Sequence, residues 1–233
     1  MSSLDVLLWL GKVASFFSVI PLILALFKYK AFLRKPNVFL LAYFLAGALL
    51  NWGTSWFVDF ATKNYEKARP FLEKFEISNT FFVDPLYFLK NFILLGAYTY
   101  YLVDNKALKR NILILSVTGI LFTVMNSLYG ETYKEYQSWG SVADNLYKVF
   151  IGSVLIRYIF YTRLDKPLLR IPQTYFATAI LLVALVAGLI DFLSNEMFSD
   201  HTSDWFYRVH IVKNLFMIGA FLLFTTGVYY TRK

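Results

Sequence analysis

The chain has 233 residues, of which 58% are hydrophobic and 16% are charged, and its formal net charge is +8. A soluble domain is typically about 45–50% apolar and about 25% charged, so this composition predicts a membrane protein. The sequence contains no cysteine, which excludes disulfides, thiol chemistry and thiolate metal sites. Because its basic residues flank apolar segments, we interpret the net charge as membrane topology and expect no nucleic-acid partner.

In chain order, the apolar segments predict seven helices that cross a lipid bilayer. We place them at residues 5–27, 37–58, 82–103, 111–128, 143–161, 173–193 and 206–230. At 1.5 Å per residue each can cross a hydrocarbon core about 30 Å thick, the fourth and fifth only barely. We therefore expect an all-α polytopic protein with a single seven-helix transmembrane domain over residues 1–233. Residues 65–75 fit either an amphipathic helix at the membrane surface or an ordinary loop with a short helix.

The connections between these segments fall into two groups by charge. Residues 28–35, 106–110, 163–170 and 232–233 are strongly basic, whereas the connections near 59–81, 129–142 and 194–205 mix both signs. By the positive-inside rule the basic group faces the cytoplasm. The N-terminus is then outside and the C-terminus cytoplasmic. We expect an integral protein of the bacterial inner (cytoplasmic) membrane.

A lysine recurs at similar depth in the odd-numbered segments, as Lys12, Lys90, Lys148 and Lys213. The sequences that begin at Lys90 and Lys213 are nearly the same, KNFILLGA and KNLFMIGA. A charged group inside a span costs about 2.5 kcal/mol or more, so such a lysine usually faces a protein interior or a hydrated cavity. The even-numbered segments carry a late polar residue: Asn51, Asn126 or Asp191. This pattern predicts an internal repeat of three helical hairpins followed by one closing helix.

Some of these lysines have a candidate partner in sequence. Lys148 follows Asp144 by four residues, which is the spacing of an ion pair on one helix face. Lys12 lies two turns after Asp5 on the same face. Asp191 has no cation one turn away, so we expect its partner to be one of the lysines across the bundle.

Lys90 has a less obvious partner. Asp84 precedes it by six residues, which places the two side chains on different faces of a helix. A direct pair between them would therefore need a neighbouring helix.

These polar groups lead to a hypothesis about function. We expect an outward-opening, positively biased cavity that binds a carboxylate, a phosphate, a lipid headgroup or another small anion, because low-dielectric walls strengthen electrostatic attraction. Its predicted ligand-binding residues are Lys12, Lys90, Lys148, Lys213, Asn51, Asn126 and Asp191. The protein would then be a receptor-like sensor or a transporter. The alternative is a structural or partner-docking subunit of a larger membrane complex, with a membrane or cytoplasmic protein as its partner.

An enzymatic function has less support in the sequence. It contains no nucleophile elbow, phosphate-binding loop or His-Glu-x-x-His motif, so we assign no catalytic residue, metal or cofactor. Lys213 in the seventh segment would suit a retinal Schiff base, but Val209 stands where an aspartate would be expected. His201 and His210 lie near three aspartates, which leaves a two-histidine metal site as an alternative.

Overall fold

A computed structural model of the chain describes residues 2–77, 80–131, 137–162, 167–199 and 203–231. The described residues are helical with no β-strand among them, which confirms the all-α prediction. The helices are α1 (Ser3–Phe27), α2 (Tyr29–Phe32), α3 (Asn37–Lys63), α4 (Tyr65–Lys74), α5 (Asp84–Lys90), a π-helix (Asn91–Leu95), α6 (Gly96–Leu102), α7 (Lys106–Tyr129), α8 (Ser138–Thr162), α9 (Pro172–Ser199) and α10 (Ser203–Tyr230). Short 3₁₀ turns cover Phe81–Val83 and Leu168–Arg170.

Within the described residues, five helices are long and apolar enough to cross a membrane. They occupy Asp5–Phe27, Asn37–Lys63, Lys106–Tyr129, Pro172–Asp191 and Tyr207–Tyr230. Five such helices indicate an integral membrane protein. The other two predicted spans have a different character. Residues 82–103 form α5, the π-helix and α6 in succession, and α8 carries Asp144, Lys148 and Arg157 among its apolar residues.

Local side chains explain where two of the helices begin. The Ser2 hydroxyl accepts a hydrogen bond from the Asp5 backbone N–H, and the Ser2 backbone N–H donates to the Asp5 carboxylate, which forms a capping box at the start of α1. Asn105 caps α7 by accepting from the Leu108 N–H at 3.0 Å. Residues 65–75 contain the short helix α4, and its location at a membrane surface stays a prediction.

Most of the long helical segments pack into a closed ring, from which α7 is excluded. The contacts run from α1 to α3, from α3 to the α5–π–α6 segment, and then through α8, α9 and α10 back to α1. Lys28 closes this ring at one end, because its ammonium donates to the backbone carbonyls of Tyr229 and Thr231. Carbonyls in the last turn of a helix lack intrahelical donors, so a lysine there is favourable.

Helix α7 lies outside the ring, against the α5–π–α6 segment and α8. Its Gly119 faces the ring of Phe92, to which a Cβ built on that glycine would be only 2.2 Å away. One turn earlier, Ser116 hydrogen bonds to the Tyr147 hydroxyl at 2.7 Å. The absence of a side chain at Gly119 therefore lets α7 pack closely against the ring of Phe92.

Buried aromatic side chains fill one end of the ring. Phe44 of α3 and Phe224 of α10 meet edge to face with ring centroids 5.5 Å apart. Phe176 of α9 and Tyr98 of α6 extend this cluster, and all four side chains are buried. Phe44 and Phe224 also line the cavity described below, so this aromatic cluster forms its apolar end.

Several sequence predictions concern parts of the chain that the structure does not describe. The basic residues Arg163, Lys166, Arg232 and Lys233 lie outside the described residues, as do Asp200 and His201. The two-histidine metal site therefore stays an open alternative.

Candidate functional site

A cavity of about 320 Å³ lies inside the ring, between α3, α5, the π-helix, α8, α9 and α10. A volume near 300 Å³ is at the lower end of the range for sites that bind small molecules. Its lining includes three lysines and three aspartates, namely Lys90, Lys148, Lys213, Asp84, Asp144 and Asp191. The cavity thus has equal numbers of basic and acidic side chains, which differs from the positive bias that we expected from the sequence.

The structure brings together most, but not all, of the predicted ligand-binding residues. Lys90, Lys148, Lys213, Asn51 and Asp191 line the cavity, whereas Lys12 and Asn126 do not.

Lys12 is exposed on α1, whose contribution to the cavity lining is Ser18. Six helical residues correspond to a rotation of about 120° from Ser18, so the two side chains lie on different faces. The predicted pairing of Lys12 with Asp5 is not formed among the described residues, since the Asp5 carboxylate instead bonds to Ser2.

Asn126 belongs to α7, outside the ring. Its amide donates to Glu131 at 2.9 Å, and Glu131 also accepts from the backbone N–H of Trp139. This residue therefore joins the end of α7 to the start of α8.

The first charged cluster in the cavity is centred on Asp144. Lys148 approaches the Asp144 carboxylate to 2.6 Å, as the four-residue spacing predicted, and the two side chains are only 11% and 3% exposed. Asn91 of the π-helix donates to both carboxylate oxygens at 2.9 and 3.0 Å. Lys148 also donates to Asn145 at 3.3 Å. A buried ion pair needs such further hydrogen bonds to offset the cost of desolvation, and this pair has them.

The second charged cluster joins three helices. Lys213 of α10 forms an ion pair with Asp191 of α9 at 2.5 Å, which confirms that the partner of Asp191 is a lysine across the bundle. Ser141 of α8 donates to the other oxygen of the same carboxylate, also at 2.5 Å. Ser141 in turn accepts from Asn145, so the two clusters form one continuous network along α8.

Lys90 differs from these lysines. Its ammonium forms no hydrogen bond or ion pair with any described residue, and it lies over the rings of Tyr43 and Tyr87, 4.4 and 5.3 Å from their centroids. Gly47 leaves room for it, because a Cβ at that position would be 3.6 Å from the Lys90 ammonium nitrogen. Electron-rich ring faces attract a cation but do not neutralise it. Lys90 is therefore a cavity lysine whose ammonium forms no ion pair with a described side chain.

Several cavity residues that accompany the lysines are not among the ligand-binding residues predicted from the sequence. Asp84, Tyr87, Phe88 and Asn91 line the cavity at positions i, i+3, i+4 and i+7, which is the pattern of one helix face. This periodic pattern could have been found from the sequence. Tyr87 also donates to Asn51 at 2.6 Å, and this bond orients the one even-segment asparagine that lines the cavity.

Asn214 also lines the cavity, so both Lys-Asn pairs contribute their lysine and their asparagine to it. Comparison with known protein families, curated proteins and solved structures found no match for this chain. The cavity and its charged residues are therefore the basis for a functional assignment.

Proposed function

We propose that this chain is a non-enzymatic integral membrane protein that binds a small anionic or zwitterionic molecule in the cavity, as a receptor-like sensor or a transporter. The observation that carries this proposal is the Lys90 ammonium, which faces the cavity without a hydrogen bond or ion pair to a described residue. An ammonium in a low-dielectric site is costly unless an anion neutralises it. A ligand that brings a carboxylate or phosphate would supply that neutralisation.

The proposed topology has seven spans, with the N-terminus outside and the C-terminus in the cytoplasm of a bacterial inner membrane. Two observations support it. The α5–π–α6 segment of 19 residues and α8 of 25 residues are long enough, at about 1.5 Å per residue, to cross most or all of a bilayer core. The basic residues Lys28, Lys30, Lys106 and Lys109 would then face the cytoplasm.

This topology can be tested by labelling, because the chain has no cysteine of its own. Single variants Ser2→Cys and Glu66→Cys should react with a membrane-impermeant maleimide in intact cells, whereas Ala107→Cys should react only after lysis. Labelling of Ala107→Cys in intact cells would contradict the proposed orientation.

The binding proposal can be tested with purified protein in a non-ionic detergent. A panel of small carboxylates, phosphates and amino acids should include at least one compound that raises the thermal unfolding temperature in a concentration-dependent way. Lys90→Met should abolish this shift. Lys12→Met is the matched control, since it removes an exposed lysine outside the cavity. If Lys90→Met retained the shift in full, Lys90 would not bind the ligand.

Sensor and transporter differ in whether the ligand crosses the membrane. Uptake of a radiolabelled ligand into sealed proteoliposomes would identify a transporter, for which the cluster of Phe44, Phe176 and Phe224 would have to open. Binding without uptake would favour a sensor that acts through a cytoplasmic or membrane protein partner.

One observation favours the alternative of a structural subunit. Lys148 and Lys213 are already neutralised within the chain by Asp144 and Asp191. The Lys213–Asp191 pair and the hydrogen bond from Ser141 to Asp191 join α8, α9 and α10. For these two lysines, helix packing is a sufficient role. Co-purification with a stoichiometric membrane partner, together with no binding to any compound of the panel, would support this alternative.

A further inference from the structure

The described residues of the cavity include an acceptor, Asp84, and a donor, Lys90, that have no hydrogen-bond or ion-pair partner. Asp84 lines the cavity, and its carboxylate forms no hydrogen bond or ion pair within the described part of the chain. Asn91 lines it too, and its buried side-chain oxygen Oδ1 has no hydrogen-bond partner there. The Asn91 oxygen is enclosed by protein atoms and does not reach the cavity, whereas the half-buried Asp84 carboxylate can contact a molecule there.

The orientation of the Asn91 amide follows from its surroundings. Its nitrogen donates to both oxygens of Asp144, and a flipped amide would place its oxygen against that carboxylate. The oxygen is therefore the atom left over. Asp84 and Asn91 are seven residues apart, which is two helical turns, so they lie on nearly the same face of the α5–π segment.

The donor and the acceptor have different charged neighbours. Lys90 is an electrostatic neighbour of Lys148 and Asp144, whereas Asp84 is a neighbour of Lys213 and Asp191. An inorganic anion could satisfy Lys90 but would leave the Asp84 carboxylate without a donor. A molecule with an anionic group and an ammonium group would satisfy both Lys90 and Asp84.

We infer that the ligand is a small zwitterion, whose carboxylate or phosphate binds the Lys90 ammonium and whose ammonium group binds the Asp84 carboxylate. This inference rests on the proposed function and adds the second charged group of the ligand. Tyr43 and Tyr87, whose rings lie against Lys90, line the cavity beside the bound molecule. The shared chemistry fits a free amino acid or amine-containing phosphate, and equally the headgroup of an aminophospholipid.

The test uses matched pairs of compounds that differ by the amino group. The zwitterions are glycine, β-alanine, 4-aminobutyrate and phosphoethanolamine, and their anionic counterparts are acetate, propionate, butyrate and ethyl phosphate. Binding to the full-length protein in non-ionic detergent is measured by calorimetry. We expect at least one zwitterion to bind about tenfold or more tightly than its counterpart, which is the scale of one charged hydrogen bond.

Variants assign this difference to its residues. Asp84→Asn should remove the preference, so that the zwitterion and its counterpart anion bind with about equal affinity. The affinity for the anion itself should change less than about threefold. That retained anion binding also shows that the variant is folded. Lys90→Met should abolish binding of both compounds. Asp59→Asn, which alters an exposed aspartate of α3 outside the cavity, should change neither.

The outcomes separate the two proposals. If the anions bind as tightly as the zwitterions, or if Asp84→Asn retains the preference, the zwitterion inference is wrong and the proposed function stands. A second measurement compares the thermal unfolding temperature of the protein in nanodiscs rich in phosphatidylethanolamine and in phosphatidylglycerol nanodiscs. If no compound binds and the unfolding temperature is no higher in phosphatidylethanolamine, both proposals are wrong. Stabilisation by phosphatidylethanolamine alone that depends on Asp84 and Lys90 would identify the lipid headgroup as the source of the zwitterion.

Discussion

The two Lys-Asn pairs of this chain share a sequence but differ in their surroundings. Lys213 belongs to the continuous helix α10 and is neutralised by Asp191 of the adjacent helix. Lys90 ends α5, immediately before the π-helix, and its ammonium lies over two tyrosine rings with no ion pair among the described residues. The two similar segments therefore place one lysine in an ion pair and the other against aromatic rings without an ion pair among the described residues.

The cause of this difference lies in the neighbouring helices rather than in the two sequences. Lys213 faces a carboxylate on α9, while Lys90 faces Tyr43 and Gly47 of α3. The helix of Lys90 also changes its hydrogen-bonding pattern at the next residue, and π-helical turns often occur at functional sites. A lysine in a membrane span is thus informative about function only when its partners are known.

The largest effect is expected from removing the lysine that is paired. Lys213→Met would leave the Asp191 carboxylate buried without its cation, which should lower the free energy of unfolding by about 3–5 kcal/mol. The double variant Lys213→Met/Asp191→Leu should recover most of this loss, because it removes both charges. Unfolding in detergent, followed by tryptophan fluorescence, measures these two variants and the single variant Asp191→Leu in a double-mutant cycle. A double variant as unstable as the single one would mean that the two side chains are not energetically coupled.

The next largest effect concerns the packing behind the π-helix. Gly119→Ala would place a Cβ 2.2 Å from the ring of Phe92, which is buried in the π-helix, and should cost about 1–3 kcal/mol of stability. Gly53→Ala is the matched control, since nothing lies within 4 Å of its Cβ position, and it should stabilise α3 by about 0.5–1 kcal/mol. Equal effects of the two substitutions would contradict the close contact between α7 and the π-helix. The same unfolding measurement compares them.

The sequence predictions that the structure confirms have a common physical basis. Helix locations followed from the length of the apolar segments, and the pair of Asp144 and Lys148 followed from a four-residue spacing on one helix. Both depend on residues close in sequence. The absence of Asn126 from the cavity depends instead on α7 packing outside the ring, which is a property of the order of helices in space.

The environment of the Lys90 ammonium could not be predicted for the same reason. Its environment comprises Tyr43 and Gly47 from a different helix, and no spacing along α5 encodes them. The π-helix is equally hidden, because the local sequence after Lys90 is almost the one that continues as an α-helix after Lys213. Pairings within a helix can be read from sequence, whereas environments between helices require the fold.

A smaller effect is expected at the tyrosine beside Lys90. Tyr87→Phe keeps the aromatic ring but removes the hydroxyl that donates to Asn51 at 2.6 Å. The loss of one partly buried hydrogen bond should lower the free energy of unfolding by about 1 kcal/mol. Tyr129→Phe, which alters an exposed tyrosine at the end of α7, should have no measurable effect. If both variants were as stable as the parent, the bond to Asn51 would make no net contribution to stability.

The smallest effect should have the opposite sign and is the sharpest test of the comparison. Lys90→Met removes an ammonium that has lost part of its hydration and has no ion pair among the described residues. It also removes the attraction between this ammonium and the tyrosine rings, which is worth about 1 kcal/mol. Since the desolvation cost of a lone ammonium exceeds that attraction, the free energy of unfolding should rise by about 0.5–1 kcal/mol in ligand-free protein. Lys12→Met, at an exposed site, should be neutral. A loss of stability comparable to that of Lys213→Met would mean that Lys90 is also a structural lysine, and the distinction between the two Lys-Asn pairs would fail.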